Sequence, residues 1–272
     1  MSEQKMDVGG QEIAYLESPG GGRPVIFVHG NSASAQTWRP LLDGSFGRRF
    51  RCLALDLPGH GQSAPAADPA AYSLPGYAAV LANFARAAGA TDAVVVGWSL
   101  GGHIALEAAP AMPATRGFVI FGAPPVADAG QLAEAFQPNP AMNVGFTADV
   151  SAADAQAYAA SFTAPGSTLA LDGFTADILA TDGTARASLL ASIGAGTFAD
   201  EVAIVNGLRQ PLAILHGRGE QLVSLGYLQG LTVPGLWRGE VQLIDGAGHA
   251  PHQETPVQFA ELLEQFIADL GQ

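Results

Sequence analysis

The sequence has almost none of the residues that several common kinds of protein site need. Cys52 is the only cysteine among 272 residues, which excludes an internal disulfide and a thiolate cage for a metal. Lys5 is the only lysine, and the formal net charge is -13, so no basic stripe exists to neutralise phosphates or anionic lipid. We therefore expect no nucleic acid partner and no membrane partner.

Long uninterrupted apolar segments are also missing. The first ten residues have no apolar core of a signal peptide, and polar residues and glycines interrupt the apolar stretch at residues 94–113. We interpret the chain as a cytoplasmic protein and favour a monomer. Its 272 residues, 48% of them hydrophobic, predict one large core, as in many α/β folds of this length.

Strand-like and helix-like stretches alternate through most of the chain. Glycines at positions 9 and 10 join two alternating segments and predict a hairpin. Helical patterns occur at residues 34–42, 77–90, from 103 onward and 257–270. Apolar strand patterns follow the hairpin at residues 25–28, 50–57, 94–97, 117–121, 211–215 and 241–244. The alternation predicts the α/β class, with a mostly parallel sheet of eight strands flanked by helices.

Residues 125–199 break this alternation. They are rich in Ala, Asp, Thr and Gly, with helical patterns at residues 151–162, 168–180 and 185–193 but no convincing buried strand. An unstructured loop of this length would be unusual in a compact domain. We therefore predict a helical cap at 125–199, inserted after the sixth strand, on a core domain of residues 1–124 and 200–272.

The segment VVVGWSLGG, residues 94–102, carries the clearest chemical signal. An apolar strand ends at Gly97, a serine follows, and a helical pattern comes next, as in the G-x-S-x-G nucleophile elbow. A side chain at Gly97 or Gly101 would collide with neighbouring backbone in so tight a turn. Ser99 is therefore the candidate nucleophile, and the Leu100 amide is placed to face negative charge. The pentapeptide by itself fits a structural turn equally well.

Candidate partners for this serine follow other predicted strands. Because the carboxyl ends of parallel strands meet at one edge of the sheet, Glu220 and His249 can meet Ser99 there. The order serine, acid, histidine is that of an α/β-hydrolase triad. His249 would take the serine proton, and Glu220 would hold the imidazole. The backbone N–H groups of Asn31 and Leu100 would form an oxyanion hole.

Other roles remain open for the acid and for the remaining histidines. Glu220 can be a solvated turn carboxylate, and Asp245, in the segment leading to the histidine, is its rival. His103, one helical turn after the elbow, is interpreted as a packing residue. The other histidines are interpreted as residues of loops or of the site's flank, without metal-ligand spacing: His29, His60, His216 and His252. We expect no metal and no cofactor.

Four segments resemble the signature segments of the α/β-hydrolase fold superfamily: HGNSAS at 29–34, DLPGHG at 56–61, GWSLGG at 97–102 and GAGHAPHQETP at 246–256. Within that superfamily, the chain most resembles the metal-independent N-acyl-homoserine lactonases. This closer resemblance includes two further segments, GAPPVA at 122–127 and TDGTAR at 181–186.

The resemblance implies a serine hydrolase that opens the ring of N-acyl-homoserine lactones through an acyl-enzyme. It implies Ser99, Glu220 and His249 as nucleophile, acid and base, and Asn31 as the oxyanion residue. The cap residues Met142, Phe146, Phe162 and Phe174 can wall an acyl chain or pack the cap onto the body. The residues expected to contact substrate are Trp98, Tyr158, Met142 and Phe146.

The chain departs from the family pattern around the acid. Gly219 stands where an acidic residue is common, and Gln221 stands where proline is common, so we expect a more flexible loop. Two other functions remain open. One is a carboxylesterase or another ester or carbon–carbon bond hydrolase with the same triad, and the other is a ligand receptor on a hydrolase scaffold.

Overall fold

The computed structural model describes residues 1–271, which form a single sheet flanked by helices. The eight strands are β1 (Ser2–Val8), β2 (Gln11–Glu17), β3 (Pro24–Val28), β4 (Arg51–Leu55), β5 (Val94–Trp98), β6 (Gly117–Phe121), β7 (Leu212–Gly217) and β8 (Gln242–Ile244).

The sheet order places β5 near the centre. The strands lie side by side in the order β1-β2-β4-β3-β5-β6-β7-β8. The pairs of β2 with β1 and with β4 are antiparallel, and the other neighbouring pairs are parallel. Parallel strands covered by helices are buried on both faces, which explains why β5 and β6 are continuous apolar runs with every residue buried.

Within residues 1–271, twelve α-helices accompany the strands: α1 (Arg39–Leu42), α2 (Ser45–Arg49), α3 (Leu74–Ala87), α4 (Leu100–Ala108), α5 (Leu132–Ala135), α6 (Ala152–Ser161), α7 (Asp172–Ala180), α8 (Gly183–Gly194), α9 (Glu201–Gly207), α10 (Leu225–Gly230), α11 (Pro251–Glu254) and α12 (Pro256–Asp269). Short 3-10 helices lie at Ala35–Trp38, Pro69–Ala71, Ala109–Ala111, Ala129–Gln131, Pro140–Phe146 and Trp237–Gly239. None of the helices in the described residues is both long and apolar enough to cross a membrane.

The main differences from the predicted elements are local. The helix expected at residues 34–42 is a 3-10 turn followed by the one-turn helix α1, which has a proline in its first turn. The strand expected at residues 50–57 ends at Leu55, because the Asp56 carboxylate turns to accept the N–H groups of Ala35 and Gln62 at 2.6 and 2.8 Å. Helix α4 begins at Leu100, three residues earlier than its sequence pattern indicates.

The chain between β6 and β7 adds no strand to the sheet and carries α5 to α9, in agreement with a helical cap after the sixth strand. Three of its helices, α6, α8 and α9, begin at side chains that accept backbone N–H groups. Ser151 accepts from the Asp154 amide at 3.2 Å, and Asp182 accepts from the Thr184 amide at 2.8 Å. The division of the chain at residues 125 and 199 stays a prediction.

Two aspartates of the cap bond to hydroxyls of the body. The Ser34 hydroxyl donates to Asp177 of α7 at 2.7 Å, and the Tyr72 hydroxyl donates to Asp182, just before α8, at 2.8 Å. These contacts fix the cap above the carboxyl ends of the strands, where the elbow serine also lies.

Candidate active site

The elbow serine has the strained backbone that its sequence context predicts. Ser99 has φ 52° and ψ -120°, an unusual conformation for a residue other than glycine. Its amide donates to the Phe121 carbonyl of β6 at 2.8 Å, which anchors the turn to the sheet. A Cβ at Gly97 would overlap the Gly101 carbonyl oxygen, and one at Gly101 would overlap the Val28 carbonyl oxygen. Both glycines are therefore required by the close approach of the backbone.

The structure brings His249 and Glu220 together in a buried pair. The His249 Nδ1 lies 2.7 Å from Glu220 Oε2, and each side chain is only 2% exposed. The other carboxylate oxygen accepts the Leu222 amide at 2.7 Å. The rival acid, Asp245, is exposed and pairs with Arg218 at 2.6 Å. The geometry thus favours Glu220 over Asp245 as the partner of the histidine.

Burial and hydrogen bonding act in opposite directions on the Glu220 carboxyl. Burial by itself favours the neutral form, but the neighbouring His249 and the hydrogen bonds from His249 and the Leu222 amide outweigh it. The pKa of Glu220 is consequently held below its ordinary value. Because an ionised carboxylate can only accept hydrogen bonds, His249 donates from Nδ1, and its Nε2 is left to act as a base.

Trp98 supports the histidine and does not contact the cavity. Its side chain is completely buried, and its indole Nε1 donates to the His249 carbonyl at 2.9 Å, so this placement does not support the predicted contact with substrate. Phe162 and Phe174 pack on the same indole, with ring centroids 5.4 and 5.8 Å away. Of the two roles left open for these phenylalanines, the structure therefore favours packing of the cap onto the body.

A carboxylate of α11 joins the histidine loop to the cap. The two oxygens of Glu254 accept the amides of Gly248 and Ala164 at 2.6 and 2.9 Å. The Ala250 amide also donates to the Phe162 carbonyl at 2.8 Å. The residue before His249 is therefore linked to the cap through Glu254, and the residue after it bonds to the cap directly.

A cavity of about 280 Å³ connects the serine, the histidine and the cap. This volume is near the lower end of the roughly 300–1,000 Å³ common for small-molecule sites. Ser99, Leu100, Asn31 and His249 line one part of it. Apolar residues, mostly from the cap, line most of the remainder: Leu74, Val126, Leu132, Phe136, Met142, Phe146, Leu189, Leu190, Ile193, Phe198 and Leu222. Met142, Phe146 and Tyr158 thus lie where substrate contacts are expected.

Asn31 and Tyr158 bring polar atoms to the wall of the cavity. The Asn31 side chain donates to the Gly145 carbonyl at 2.5 Å and accepts from the Ser32 hydroxyl at 3.1 Å, so it ties the loop after β3 to the cap. Tyr158 packs edge-on against Phe162 at 4.6 Å, and burial raises the pKa of its hydroxyl. The hydroxyl therefore stays protonated and can donate to a bound oxygen.

Comparison with known proteins identifies the family. A family model described as the alpha/beta hydrolase family matches residues 25–262. The chain belongs to the alpha/beta hydrolase family. The superfamily resemblance of the four segments and the α/β class are thereby confirmed.

Two relatives of this hydrolase are informative, one of them in two solved structures. The structure of the N-acyl homoserine lactonase AidH complexed with N-butanoyl homoserine has a TM-score of 0.95 and 37% identity, covering 100% of this chain and 98% of that one. A mutant of AidH complexed with N-hexanoyl homoserine lactone has a TM-score of 0.94 and 36% identity, covering 99% of this chain and 98% of the AidH chain. A pimeloyl-acyl-carrier-protein methyl ester esterase of Methylococcus capsulatus is 30% identical over 93% of this chain and 98% of its own.

The loop that carries the acid is better anchored than its sequence suggests. Gln137, from the cap, donates to the Val223 carbonyl at 2.8 Å and to the Glu220 carbonyl at 3.2 Å. Gln221 donates to the Thr163 carbonyl at 2.7 Å. These bonds replace the stiffness that a proline would give, so the expectation of a flexible loop overlooked partners that are distant in sequence.

Sequence reasoning also missed a second histidine and carboxylate pair in the hydrolase cavity. His103, interpreted as a packing residue, lies with its Nδ1 2.9 and 3.0 Å from the two oxygens of Glu201. Both residues line the cavity. The two positions are 98 residues apart, and no local pattern links them. Within residues 1–271, no group of three or more His, Cys, Asp or Glu side chains is placed to hold a metal ion.

Proposed function

We propose that this hydrolase opens the lactone ring of N-acyl-homoserine lactones by a serine mechanism. The observation that carries the proposal is the shared cavity, which joins Ser99 and His249 to an apolar wall suited to an acyl chain. The buried pair of His249 and Glu220 supports a base beside the serine. Similarity to AidH at 37% identity over the full length supports the choice of substrate class.

In the proposed mechanism, His249 Nε2 removes the proton of the Ser99 hydroxyl while the serine oxygen attacks the lactone carbonyl carbon. The negative charge on the carbonyl oxygen is stabilised by the N–H groups of Asn31 and Leu100. Leu100 is the first residue of α4, so its N–H has no partner within the helix. Glu220 stabilises the imidazolium that forms.

Collapse of the tetrahedral intermediate breaks the bond to the ring oxygen, which takes the proton from His249. The acyl-enzyme that results still carries the leaving hydroxyl, because ring opening releases no fragment. A water molecule then attacks the ester, again with His249 as base, and the acylated homoserine leaves as a carboxylate. Re-closure of the tethered hydroxyl competes with water, since intramolecular attack has a high effective molarity.

Hydrolysis of linear carboxylic esters is the second candidate function. The methyl ester esterase relative, with 30% identity over 93% of this chain, favours it. The same steps apply, except that an alcohol leaves before water attacks. A receptor on a hydrolase scaffold is supported least, because a receptor has no need of a buried histidine and carboxylate pair beside a strained serine.

The test compares purified protein on N-acyl-homoserine lactones of increasing acyl length with methyl and p-nitrophenyl esters of the same acids. Ring opening is followed by proton release. We expect lactone opening with the larger kcat/KM, and loss of nearly all turnover in Ser99→Ala with binding retained. Ester turnover without lactone opening would favour the second candidate. Activity that survives Ser99→Ala would contradict the mechanism.

A further inference from the structure

The loop that follows β3 is held by the body at its two ends and by the cap in between. At its start, His29 Nε2 accepts the Leu57 amide at 3.0 Å. At its end, the Ala35 amide donates to the Asp56 carboxylate at 2.6 Å. Residues 30–34, between these two anchors, form the oxyanion loop, and two of their side chains bond to the cap.

The two contacts with the cap lie on either side of a strained residue. The Asn31 side chain donates to the Gly145 carbonyl at 2.5 Å, and the Ser34 hydroxyl donates to Asp177 at 2.7 Å. Between them, Ser32 has φ 57°, in the left-handed region that is uncommon for residues other than glycine. Such a conformation persists only where its surroundings hold it. The docked cap therefore helps to hold the oxyanion loop in this conformation.

The backbone of the oxyanion loop lies against the nucleophile. A Cβ at Gly30 would lie only 3.2 Å from the Cβ of Ser99. The N–H group of the next residue, Asn31, forms no hydrogen bond within residues 1–271. An unpaired N–H group beside a nucleophilic serine can stabilise an oxyanion, provided that its direction is fixed before the reaction.

The side chain of Asn31 is fixed at both of its polar ends. Its Oδ1 accepts the Ser32 hydroxyl at 3.1 Å, while its Nδ2 donates to Gly145. A side chain that is held in this way restricts the rotation of its own backbone, and therefore the direction of the Asn31 N–H group. The cap thus acts on the oxyanion hole through one hydrogen bond.

Gly145 can make this contact because it has no side chain. It lies in the 3-10 helix Pro140–Phe146 and does not have a positive φ, so its backbone conformation does not require glycine. A Cβ there would lie 2.5 Å from the Tyr158 hydroxyl oxygen and 3.0 Å from Asn31 Nδ2. The close approach of the cap to the oxyanion loop therefore explains the glycine.

We infer that Gly145 is a positioning residue: through the Asn31 side chain it holds the Asn31 N–H group in the oxyanion hole, which is complete only while the cap is docked. The inference rests on the serine mechanism of the proposed function, and it holds for lactone and ester substrates alike. The coupling acts in both directions. A docked cap favours negative charge on the carbonyl oxygen, and that charge favours the docked cap.

The first experiment compares wild type with Gly145→Ala and Asn31→Ala. The second variant loses the bond to the cap but keeps the backbone N–H group. Loss of a whole oxyanion donor costs about a hundredfold to a thousandfold in kcat, so we expect a loosely held donor to cost about tenfold, with KM within about twofold of wild type. Hydrolysis of a p-nitrophenyl ester measures both constants. Gly173→Ala, in α7, is the matched control and should keep the wild-type kcat, because a Cβ there meets nothing within 4 Å.

Inhibition by a pair of ketones separates this role from a purely structural one. The Ser99 oxygen adds to the carbonyl carbon of a trifluoromethyl ketone with a hexyl chain, the serine proton passes to His249 Nε2, and the former carbonyl oxygen becomes the oxyanion. The matching methyl ketone resists this addition. We expect the inhibition constant of the trifluoromethyl ketone to rise about tenfold in both variants, and that of the methyl ketone to stay within about twofold of wild type. If the two constants change alike, Gly145 has only a structural role and the inference is wrong.

A measurement on wild type does not depend on the folding of any variant. Hydrogen exchange of the backbone amides in residues 140–146 is followed with each of the two ketones at saturation. Because the two ketones have the same chain, they differ only in the charge that forms in the oxyanion hole. We expect slower exchange with the trifluoromethyl ketone, since that charge favours the docked cap. Equal exchange in the two complexes would contradict the coupling.

The outcomes for the inference and for the proposed function are distinguishable. If the hydrolase cleaves esters but opens no lactone, the same losses of kcat and of trifluoromethyl ketone affinity still support the role of Gly145. If it opens lactones and both variants keep the wild-type kcat, the inference is wrong and the proposed function stands.

Discussion

At the scale of the residue, we expect kcat to depend strongly on the charge of the Glu220 carboxylate. Glu220→Gln keeps the size of the side chain but removes the charge that stabilises the imidazolium and fixes its tautomer. We expect kcat to fall roughly ten-thousandfold, by analogy with loss of the buried acid in other triads. Hydrolysis rates at saturating concentrations of a p-nitrophenyl ester, compared between wild type and Glu220→Gln, measure this fall in kcat.

The rival acid is the matched control for that substitution. Asp245 is exposed and paired with Arg218, so Asp245→Asn should leave kcat within about twofold of wild type. A large loss in Asp245→Asn together with a small loss in Glu220→Gln would reverse the assignment of the acid.

The elbow and its partners could be predicted at this scale, and Trp98 and Glu201 could not. Gly97, Ser99 and Gly101 act through backbone geometry that is local, so the residue types alone indicate the turn. The direction of the Trp98 indole depends on the His249 loop, which follows it by 151 residues. A role that is set by contacts across the fold leaves no periodic or spaced pattern in the sequence.

At the scale of the element, α11 holds the histidine loop through one carboxylate. Glu254→Ala removes the acceptor of both the Gly248 and the Ala164 amides and frees the loop from the cap. We expect kcat to fall about tenfold, because a base that is held loosely is in the reactive position less often. Glu254→Gln keeps one acceptor and should lose less. Glu261→Ala, an exposed position on α12, is the control, and equal losses at both positions would contradict this role.

A buried guanidinium joins three segments of the cap. Arg186 of α8 donates to the carbonyls of Thr147, Ala148 and Ile178 at 2.6, 2.9 and 3.0 Å. Arg186→Leu would leave these carbonyls without their donor, at a cost of about 3 kcal/mol in unfolding free energy. Urea denaturation measures the loss. Arg209→Leu, at an exposed position, should change the unfolding free energy by less than about 0.5 kcal/mol.

Buried strands were predicted better than short helices, for a physical reason. The buried strands β3, β5 and β6 differ from their apolar patterns by at most one residue at either end, because burial on both faces demands a continuous apolar run. The helices α9 and α10, of seven and six residues, were not predicted. A helix of two turns has too few residues for a clear period, and its tertiary contacts decide whether it forms.

At the scale of the whole molecule, the contact between cap and body includes a half-buried acid, Asp177. Burial raises the pKa of the Asp177 carboxyl to about 6; the Ser34 hydroxyl opposes the shift, and the nearby charge of Asp56 adds to it. The native state therefore binds a proton that the unfolded chain has already lost between about pH 4 and pH 6. This contribution to stability is complete below the ordinary pKa and is lost as the pH rises through about 6.

Asp177→Asn should remove this pH dependence, because an amide stays neutral and its oxygen can still accept the Ser34 hydroxyl. Relative to wild type, we expect the variant to be more stable at pH 7.5 by about 1 kcal/mol, with the difference shrinking towards pH 4. Urea denaturation of both proteins at several pH values measures the difference. Asp172→Asn, at an exposed position of the same helix, is the control and should follow wild type at every pH. If wild type instead gains stability over Asp177→Asn as the pH rises from 4 to 7.5, the carboxylate stabilises the docked cap in its charged form and the sign argued here is wrong.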